Sequence, residues 1–552
     1  MINDLWYKNA VVYCVNVETF MDTNGDGVGD FEGLARRLDY LAGLGVTCIW
    51  LLPFYPSPRR DDGYDVTDYY GVDRRYGSSG DFVELMNVAR ERGIRVIADL
   101  VINHTSIDHP WFKEARSNPR SKYRDWYVWS KKRPRNWNKG MVFPGVQKST
   151  WSYDSEARLW YFHRFYDFQP DLNTENPEVR EEIKRIMGYW LELGVSGFRV
   201  DALPFVVSKK GATVGKPEQD FDFLREMRAF LQWRQGDAML LAEANVLPDQ
   251  DLKYFGDSDD RMHMMFNFLV NQNVFYALAS GDVRPLTVAL KKTKQRPITA
   301  QWAYFLRNND ELDLGRLTDE QRQTVFAKMG PEKSMQLYDR GIRRRLAPML
   351  DGDRRRLELA YSLMFTLPGT PVIRYGDEIG MGDDLRLKER QAARTPMQWS
   401  TEPHAGFTTA EKSVLPVIDD ELYGYRKVNV ADQRRDPQSL LNWTERIIRA
   451  RKEAPEVGWG DWRILPTGSP NVLAIRYDWR DNAVVMVHNL DSKPHRIKLR
   501  IDDRERTSLI NILANDHSEG GEDGVHKLAI EGYGYRWYRV GGLDYILHRS
   551  RS

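Results

Sequence analysis

An alternation of short strand-like runs with amphipathic helical stretches is the feature that most constrains the fold of this chain. Near the N-terminus, β-branched runs such as VTCIWLLPF and IRVIADLVINH alternate with helical stretches such as DFEGLARRLDYLAGLG. Eight strand-like runs can be counted up to residue 376, each but the last followed by a helix or by an insertion that contains one. Strands that alternate with helices build parallel sheets, and eight such units close into a barrel. The sequence therefore predicts an α/β fold with a (β/α)₈ TIM barrel.

Two departures from this rhythm predict the domain boundaries. Residues 104–172 follow the third strand and are rich in Pro, Trp, Arg and Tyr, so we expect an inserted B subdomain there. After residue 460, segments such as AVVMVHNL and HRIKLRI are separated by Asn, Asp, Gly and Pro turns, which predicts a C-terminal antiparallel β-sandwich over residues 461–552. The barrel is accordingly assigned to residues 1–103 and 173–460.

The composition excludes several classes of partner. Lys and Arg number 80 and Asp and Glu number 79, so no net charge steers the protein to nucleic acid or to an anionic membrane. The sequence has neither a leader-like N-terminus nor an apolar stretch of membrane-spanning length, and Cys14 and Cys48 lie in apolar strand-like runs. We therefore expect a cytoplasmic protein that binds a small neutral molecule, not nucleic acid or membrane. A homo-oligomer stays open.

Chemically active side chains end several of the predicted strands. The carboxyl ends of barrel strands converge on one face, where the following loops build the site. Asp201 and Glu243 end neighbouring strands, and glycosidic cleavage with retention needs two carboxyl groups about 5 Å apart, one to attack and one to protonate the leaving oxygen. Arg199 can orient Asp201, and Asp310 can clamp sugar hydroxyls. A single carboxylate at a strand end is usually a helix cap, but this combination predicts a glycoside-cleaving site.

Six motifs resemble those of a known family. The resemblance is to glycoside hydrolase family 13, the α-amylase family, whose four principal and two auxiliary sequence regions are matched in order and at plausible spacing. It covers residues 1–460 approximately. The matching motifs are DLVINH (99–104), GFRVDA (197–202), AEAN (242–245), RNND (307–310) and the auxiliary GVTCIWLLP and QPDLN (169–173).

The resemblance implies the role of each site residue. It implies a retaining double displacement with Asp201 as nucleophile, Glu243 as general acid/base and Asp310 as stabiliser of the transition state, without an organic cofactor. It also implies that Arg390 pairs with Asp61 and helps to close the site. The residues implied to bind the substrate, a small α-linked di- or oligosaccharide, are Asp61, Tyr64, His104, Arg199, Asn245, Asn309 and Arg390.

Longer segments resemble the trehalose synthase branch of this family. They include WLLPFYPSPRRDDGYDVTDYY, HRFYDFQPDLN and LLAEANVLPDQDLKYFGD. The implied reaction interconverts maltose and trehalose: the glucose that is freed turns inside a closed pocket and attacks the glucosyl unit held by Asp201. Because water would give hydrolysis instead, the pocket must be sealed. Residues 104–172 and 315–345 are the candidate lid, with Asn245 and Arg390 as gate residues.

One residue departs from the family pattern. The family places His immediately before the stabilising aspartate, and this chain has Asn309. An amide can donate a hydrogen bond but cannot carry a positive charge, and loss of one well-aimed transition-state donor costs on the order of 10²-fold. A hydrolase or a glucosyltransferase acting on another short α-glucoside therefore stays open. A non-catalytic carbohydrate-binding barrel is disfavoured, because all three catalytic carboxylates and Arg199 are present.

The segment DTNGDGVGD predicts a bound metal. Its oxygen-bearing side chains alternate with glycines that permit tight turns, which suits a structural Ca²⁺, with Mg²⁺ or a plain Asn-Gly turn as the alternatives. The family carries a calcium site with this motif. The predicted ligands are Asp22, Asn24, Asp26, the Val28 carbonyl and Asp30.

A second calcium site is suggested by the resemblance alone. Its ligands would match Asn103 and Asp171, together with a segment just after the nucleophile. In this chain that segment reads FVVSKK and lacks an acidic ligand. The second ion therefore stays open.

Overall fold

Eight parallel strands close into a barrel in the computed structural model, which describes residues 3–211, 218–501, 508–521 and 523–541. Each strand pairs with its neighbours along the chain, and the first pairs with the last. The predicted (β/α)₈ barrel is confirmed. The barrel strands are β1 (Val12–Val15), β2 (Cys48–Leu51), β3 (Arg95–Leu100), β4 (Gly197–Val200), β5 (Met239–Ala242), β6 (Met264–Phe266), β7 (Gln301–Phe305) and β8 (Thr370–Arg374).

The barrel strands are buried on both faces, which explains why they read as continuous apolar runs. Every residue of β2 and of β5 is buried. Side chains that point into the barrel, among them Trp50, Met239 and Phe266, form a core of their own, while the outward side chains pack against the helices. Parallel sheets covered on both faces show this pattern.

Helices surround the barrel, and polar side chains mark where several begin. Ser78 and Asp81 form a capping box at one helix, and Asn176 caps another that starts with a proline. The helices of the barrel layer are Phe31–Arg36, Leu38–Leu44, Ser79–Glu91, Pro177–Glu192, Leu203–Val206, Asp222–Arg234, Pro248–Phe255, Phe268–Ser280, Arg284–Lys292, Asp319–Met329, Leu346–Met349, Arg354–Thr366, Val430–Arg435, Leu440–Lys452 and Glu456–Trp459.

The segment between β3 and β4 forms the inserted subdomain. It contains a helix, Pro110–Ser117, and a three-stranded antiparallel sheet. Phe112 stacks on Trp129 with ring centroids 5.5 Å apart, so the aromatic residues of this segment supply a small core. The strands are Trp129–Ser130, Trp151–Asp154 and Leu159–Phe162.

The C-terminal part consists of two antiparallel sheets with a shared apolar core. It is fixed to the barrel through Ser362, whose hydroxyl oxygen contacts His488 and accepts a hydrogen bond from Trp537 Nε1, both at 2.9 Å. Predicted positions 502–507, 522 and 542–552 lie outside the described residues. The strands are Asp461–Ile464, Val472–Trp479, Asn482–Asn489, Tyr535–Val540, Ser508–Asn511 and His517–Glu519 in one sheet, and His495–Arg500 and Val525–Ile530 in the other.

Two features complete the fold. A small antiparallel sheet, formed by Leu312–Asp313, Gln336–Leu337 and Gly341–Ile342, lies in the insertion between β7 and β8. Within the described ranges, no helix is long and apolar enough to cross a membrane. The 3₁₀ helices are Asn3–Asn9, Val17–Thr19, Arg124–Trp126, Lys333–Met335, Asp377–Ile379, Glu389–Ala393 and Pro403–Gly406.

Candidate active site

A buried guanidinium joins the carboxylates at the ends of β3, β4 and β5. Arg199 Nη1 donates to Asp99 Oδ1 and to Asp201 Oδ1, each at 2.6 Å. Its Nη2 lies 2.8 Å from Glu243 Oε2. Since Asp201 and Glu243 bind two nitrogens of one guanidinium, they lie close together, as a double displacement requires.

The backbone turns sharply just after the nucleophile. Ala202 has a φ of 48°, a left-handed conformation that non-glycine residues seldom adopt. Its N–H donates to Glu243 Oε2 at 3.1 Å, and the N–H of Asp201 donates to the Leu100 carbonyl at 3.1 Å. The turn thus ends β4, begins the short helix Leu203–Val206 and holds the Glu243 carboxyl against the backbone next to Asp201.

Burial raises the pKa of both catalytic carboxyls. It raises the pKa of Asp201 to about 6, although the Arg199 charge lowers it. It raises the pKa of Glu243 to about 7, with Arg199 opposing and the negative charge of Asp201 adding to the rise. The carboxyl that ionises more readily suits the nucleophile, and the one that holds its proton longer suits the acid. Arg199 orients Asp201 as predicted, but its charge does not outweigh burial.

The pH dependence of the first half-reaction follows from these two groups. We expect kcat/KM for 4-nitrophenyl α-D-glucopyranoside to fall below about pH 6, where Asp201 gains a proton and loses its nucleophilicity. For maltose it should also fall above about pH 7, where Glu243 loses the proton that the leaving sugar needs. Rates across pH 4–9 test this. An alkaline limb equally steep for the nitrophenyl substrate, whose leaving group needs no proton, would contradict the assignment of Glu243.

The third carboxylate is held by two arginines. Asp310 Oδ1 accepts from Arg390 Nη1 at 2.6 Å and from Arg394 Nη2 at 3.1 Å. Arg390 Nη2 also donates to Asp61 Oδ1 at 2.9 Å. The predicted pair between Asp61 and Arg390 is therefore present in the structure. Arg390 joins the loop after β2 to the loop after β7.

A cavity of about 370 Å³ opens above these groups. This is near the lower end of the range of small-molecule sites, about 300–1,000 Å³. Predicted residues on its wall are Asp61, Tyr64, His104, Asp201, Glu243, Asn245, Asp310 and Arg390. Wall residues that sequence reasoning missed are Val142, Phe143, Phe165, Ala202, Pro204, Phe205, Phe268, Asn308, Glu311, Asp313 and Arg340.

Asn309 does not contribute to the cavity wall, whereas its neighbour Asn308 does. Asn309 is 3% exposed, and its Oδ1 has no hydrogen-bond partner among the described residues. Its carbonyl accepts from Arg394 Nε at 2.8 Å. The structure thus places Asn308, and not Asn309, on the cavity wall, and the contact of Asn309 with the sugar stays a prediction.

His104 is held as a neutral imidazole. Its Nδ1 lies 3.2 Å from the Asn103 amide nitrogen, which can only donate, and its Nε2 lies 3.1 Å from the Tyr64 carbonyl, which can only accept. These partners fix the tautomer with the proton on Nε2. Burial lowers the pKa of His104, so the ring presents no positive charge to the substrate.

Polar contacts close one side of the entrance. Asn245 Nδ2 donates to Asp313 Oδ2 at 3.1 Å, and Arg316 Nε donates to Asn245 Oδ1 at 2.9 Å. Arg340 Nη2 donates to the Val142 carbonyl at 3.1 Å. The insertion after β7 is thereby joined both to the loop after β5 and to the B subdomain.

Aromatic contacts close the other side. Phe143 of the B subdomain packs against Tyr166 and Tyr338 with ring centroids 5.0 Å apart in each pair, and the Arg390 guanidinium lies 5.1 Å from its ring. The hydroxyls of Tyr338 and Tyr166 both donate to Glu389 Oε2, at 3.0 and 3.4 Å. Both predicted lid segments and the Arg390 loop therefore meet at the entrance.

The Lys210 ammonium lies between Asn103 and Asp171, the two residues that the resemblance suggests as ligands of a second calcium ion. Lys210 Nζ donates to Asp171 Oδ2 at 2.9 Å and to Asn103 Oδ1. The side chains of Lys210 and Asp171 are 3% and 0% exposed. This cation neutralises the carboxylate and satisfies the amide oxygen, and the second calcium ion stays open. The lysine comes from the FVVSKK segment that lacks an acidic ligand.

The predicted metal loop adopts the turns of a chelating loop. The Oδ1 atoms of Asp22, Asn24 and Asp26 each accept from the N–H two residues ahead, at 3.0, 2.9 and 2.8 Å. Gly27 has a φ of 90°, at the position where calcium loops need glycine. Asp30 caps the helix Phe31–Arg36 through a 2.6 Å bond from Gly33 N. In the described part of the chain, no group of three or more His, Cys, Asp or Glu side chains is placed to hold a metal ion, so the donor set would include the Asn24 amide and a carbonyl.

This chain is similar to known families and to known proteins over most of its length. The alpha amylase catalytic domain model matches residues 15–460, and a sucrose hydrolase-like C-terminal domain model matches residues 482–539. The trehalose synthase/amylase TreS of Mycolicibacterium smegmatis is 41% identical, with 97% of this chain and 92% of that protein covered. A trehalose synthase of Thermus thermophilus is 40% identical over 99% of this chain, which spans 57% of that protein's length.

More distant relatives point the same way. An α-glucosidase of Pediococcus pentosaceus is 32% identical, with 89% of this chain and 92% of that protein covered. The structure of an inactive double mutant of MutB in complex with isomaltulose superposes with a TM-score of 0.78 at 27% identity, with 97% of this chain and 99% of that chain covered. The chain is an enzyme that acts on α-glucosides. The chain belongs to the α-amylase family.

Proposed function

We propose that this enzyme interconverts maltose and trehalose by intramolecular glucosyl transfer. The observation that carries the proposal is that both lid segments meet at Glu389, next to Arg390 on the wall of the cavity that holds Asp201 and Glu243. A sealed cavity keeps water from the glucosyl enzyme and so favours transfer over hydrolysis. Relatives named trehalose synthase, at 40–41% identity, support the same reaction, and the α-glucosidase at 32% identity is more distant.

The electrostatics of the cavity favour an uncharged substrate. Its wall carries six carboxylates but only two arginines, Arg340 and Arg390. An anionic sugar such as a phosphorylated disaccharide would meet an excess of negative charge there. The cavity volume of about 370 Å³ suits a short substrate. We therefore place neutral disaccharides first among the candidate substrates.

The geometry supports a reaction in two displacements. Asp201 attacks the anomeric carbon while Glu243 gives its proton to the departing oxygen, which yields a glucosyl ester and free glucose. The freed glucose turns within the closed cavity. Its anomeric hydroxyl then attacks the ester carbon as Glu243 takes back the proton, which releases Asp201 as a carboxylate. Asp310 binds sugar hydroxyls and stabilises the positive charge that develops on the ring.

One product analysis tests the proposal. The purified enzyme is incubated separately with maltose and with trehalose, and the sugars are followed by NMR. We expect each disaccharide to give the other with little free glucose. Glucose as the main product would instead establish a hydrolase, the rival that the departure from the family pattern at Asn309 leaves open.

The closure of the entrance can be tested at Tyr338. We expect Tyr338→Phe to increase the share of free glucose among the products several-fold, since the hydrogen bond to the charged Glu389 is lost and the entrance opens to water more often. The glucose-to-trehalose ratio at equal maltose consumption measures this. Tyr153→Phe, which removes the hydroxyl of an exposed tyrosine of the B subdomain, is the control. An unchanged ratio in Tyr338→Phe would refute the role of this contact.

We also propose a structural calcium ion in the loop that runs from Asp22 to Asp30, with Mg²⁺ as the alternative ion. The alternating oxygen donors and the turn at Gly27 support it. We expect removal of divalent ions by a chelator to lower the melting temperature and added Ca²⁺ to restore it. In Asp22→Ala the melting temperature should be lower and no longer respond to Ca²⁺. The same Ca²⁺ response in this variant as in the unmodified protein would place the ion elsewhere.

We propose that the enzyme works in the cytoplasm. Cys14 and Cys48 are both free and buried, and two unpaired thiols support a reducing compartment such as the cytoplasm. Any homo-oligomer would be measured by light scattering of the purified protein.

A further inference from the structure

Three buried arginine side chains form a cluster next to the end of β8. Arg307, Arg345 and Arg374 are 2%, 0% and 1% exposed. Arg345 Nε and Arg374 Nη2 both donate to the Ala393 carbonyl, at 3.1 and 2.5 Å. Arg307 Nε donates to the carbonyl of Arg344, the residue before Arg345, at 2.8 Å. We call these three residues the arginine cluster.

The protein neutralises only part of the charge of the arginine cluster. Arg345 Nη1 lies 3.2 Å from Asp377 Oδ1. In the described ranges, no carboxylate oxygen lies within 4.0 Å of a guanidinium nitrogen of the other two arginines. Asp383 accepts from the Arg345 backbone, but its carboxylate is paired with Arg344. Three buried cations therefore share one carboxylate, whereas buried charges are normally paired.

Four nitrogen atoms of the arginine cluster are buried without a hydrogen-bond partner among the described residues. They are Arg307 Nη1, Arg345 Nη2, Arg374 Nε and Arg374 Nη1. Burial and the Arg374 charge lower the pKa of Arg307 to about 10, so the cluster is charged at neutral pH. Buried polar groups without partners are rare in native proteins, and a guanidinium can only donate. The four donors therefore indicate an acceptor that is not part of the chain.

The missing acceptor is better matched by a small anion than by water. Water can accept from these donors, but it would leave the positive charge of the cluster uncompensated. A halide ion supplies a negative charge and accepts from several donors at once. The arginine cluster and Asp377 are at most 4% exposed, so the site is closed to organic anions such as sugar phosphates. Chloride is the most abundant anion of suitable size and charge.

We propose that the arginine cluster binds a chloride ion, which holds the loop of Asp310 in its catalytic position. Arg307 Nη2 donates to the Asp310 carbonyl at 2.8 Å. The Ala393 carbonyl, which accepts from the other two arginines, directly precedes Arg394, whose Nη2 donates to Asp310 Oδ1 at 3.1 Å. An ion that fixes the cluster thus fixes both the backbone and the side chain of Asp310, whichever α-glucoside the enzyme converts.

Thermal unfolding tests the binding of the ion. The melting temperature of the unmodified protein is measured while sodium chloride replaces sodium gluconate, whose anion is too large for the site, at constant ionic strength and constant calcium. We expect a saturable rise of about 2 °C when chloride exceeds its dissociation constant about a hundredfold, because the ion binds only the folded protein. Equal melting temperatures in the two salts would overturn the proposal. A rise with phosphate but not with chloride would also overturn it, because the site would then belong to an oxyanion.

Two variants and bromide locate the ion. Arg374→Met should abolish the chloride-dependent rise, since it removes two of the four unpartnered donors. Arg451→Met is the matched control and should keep the rise: Arg451 is equally buried, but its Nη1 and Nη2 donate to Asn9 and Gly369. If Arg374→Met fails to fold, crystals of the unmodified enzyme soaked in bromide should show an anomalous peak between the guanidiniums of the arginine cluster. A rise retained in Arg374→Met, or no peak at the cluster, would overturn the assignment.

Enzyme rates test the effect of the ion on Asp310. For 4-nitrophenyl α-D-glucopyranoside, kcat should be several-fold higher in chloride than in gluconate, with a smaller change in KM, because Asp310 acts mainly in the transition state. Arg374→Met should give equal rates in the two salts. Equal kcat values in the two salts for the unmodified enzyme would overturn the role of the ion in holding Asp310.

Discussion

Asp201→Asn should lower the rate of maltose conversion by roughly 10⁴-fold or more, because the amide cannot form the glucosyl ester through which both half-reactions pass. The variant is expected to fold. Its side chain has nearly the same size, and Arg199 retains two carboxylate partners, Asp99 and Glu243. The measurement is the rate of trehalose formation by NMR, with the melting temperature as the check on folding.

Stereochemistry separates a nucleophile from a merely structural carboxylate. With azide and 4-nitrophenyl α-D-glucopyranoside, Asp201→Gly should give β-glucosyl azide, since azide enters the vacated space in one displacement. Glu243→Ala should give α-glucosyl azide, since azide then attacks the ester on Asp201 in a second displacement. The two variants are each other's control. The same anomer from both would show that Asp201 is not the nucleophile.

The sequence predicted the parts of the site that depend on barrel topology. Asp201 and Glu243 directly follow β4 and β5, Asp310 lies in the loop after β7, and a parallel barrel brings the ends of its strands to one face whatever the loops do. Arg199 was predicted for the same reason, since it lies two residues before Asp201 on the same side of β4. These positions follow from periodicity and order along the chain.

The side of the cavity that the long insertions build could not be predicted in that way. Phe143, Phe165 and Tyr338 come from long insertions, and no periodic pattern says which aromatic side chain of an insertion faces the cavity and which fills its own core. Trp160 illustrates the second case, because its ring packs against Tyr153 on the small sheet of the B subdomain, with ring centroids 5.6 Å apart. Phe268 and Glu311 could have been predicted as wall residues from the sequence, because they lie shortly after the ends of β6 and β7.

The burial of Lys210 is a further feature that the local sequence does not predict. Nothing in FVVSKK distinguishes Lys210 from Lys209, yet one is buried and the other is 51% exposed. The difference arises from distant residues, since Asn103 and Asp171 create a site that only a cation can fill. The family resemblance suggested an ion at Asn103 and Asp171, and the structure has the Lys210 ammonium there.

Lys210→Met should lower the stability of the protein by about 3–5 kcal/mol, the effect of removing one partner from a buried ion pair. Methionine fills most of the volume but leaves Asp171 as an uncompensated buried charge next to the unsatisfied Asn103 amide oxygen. Calorimetry should show a fall in melting temperature of roughly 3–4 °C, because the entropy of unfolding of a chain this long is on the order of 1 kcal/mol/K. Lys209→Met is the matched control, because its ammonium lies 3.7 Å from Glu175 in solvent and should contribute less than about 1 kcal/mol.

The two lysine variants should also differ in catalysis and in their response to metal. Asn103 donates toward His104 Nδ1 through the same amide that Lys210 anchors, so Lys210→Met should raise KM, because the histidine is no longer held in one orientation. Lys210→Ala empties the site and leaves Asp171 and Asn103 as oxygen ligands, so added Ca²⁺ should raise the melting temperature of this variant by more than that of the unmodified protein, in which the Asp22 loop is the expected calcium site. Equal melting temperatures for Lys210→Met and Lys209→Met would show that the ammonium does not hold these loops together. An equal rise in melting temperature on adding Ca²⁺ in Lys210→Ala and in the unmodified protein would show that removal of the lysine does not open this site to the ion.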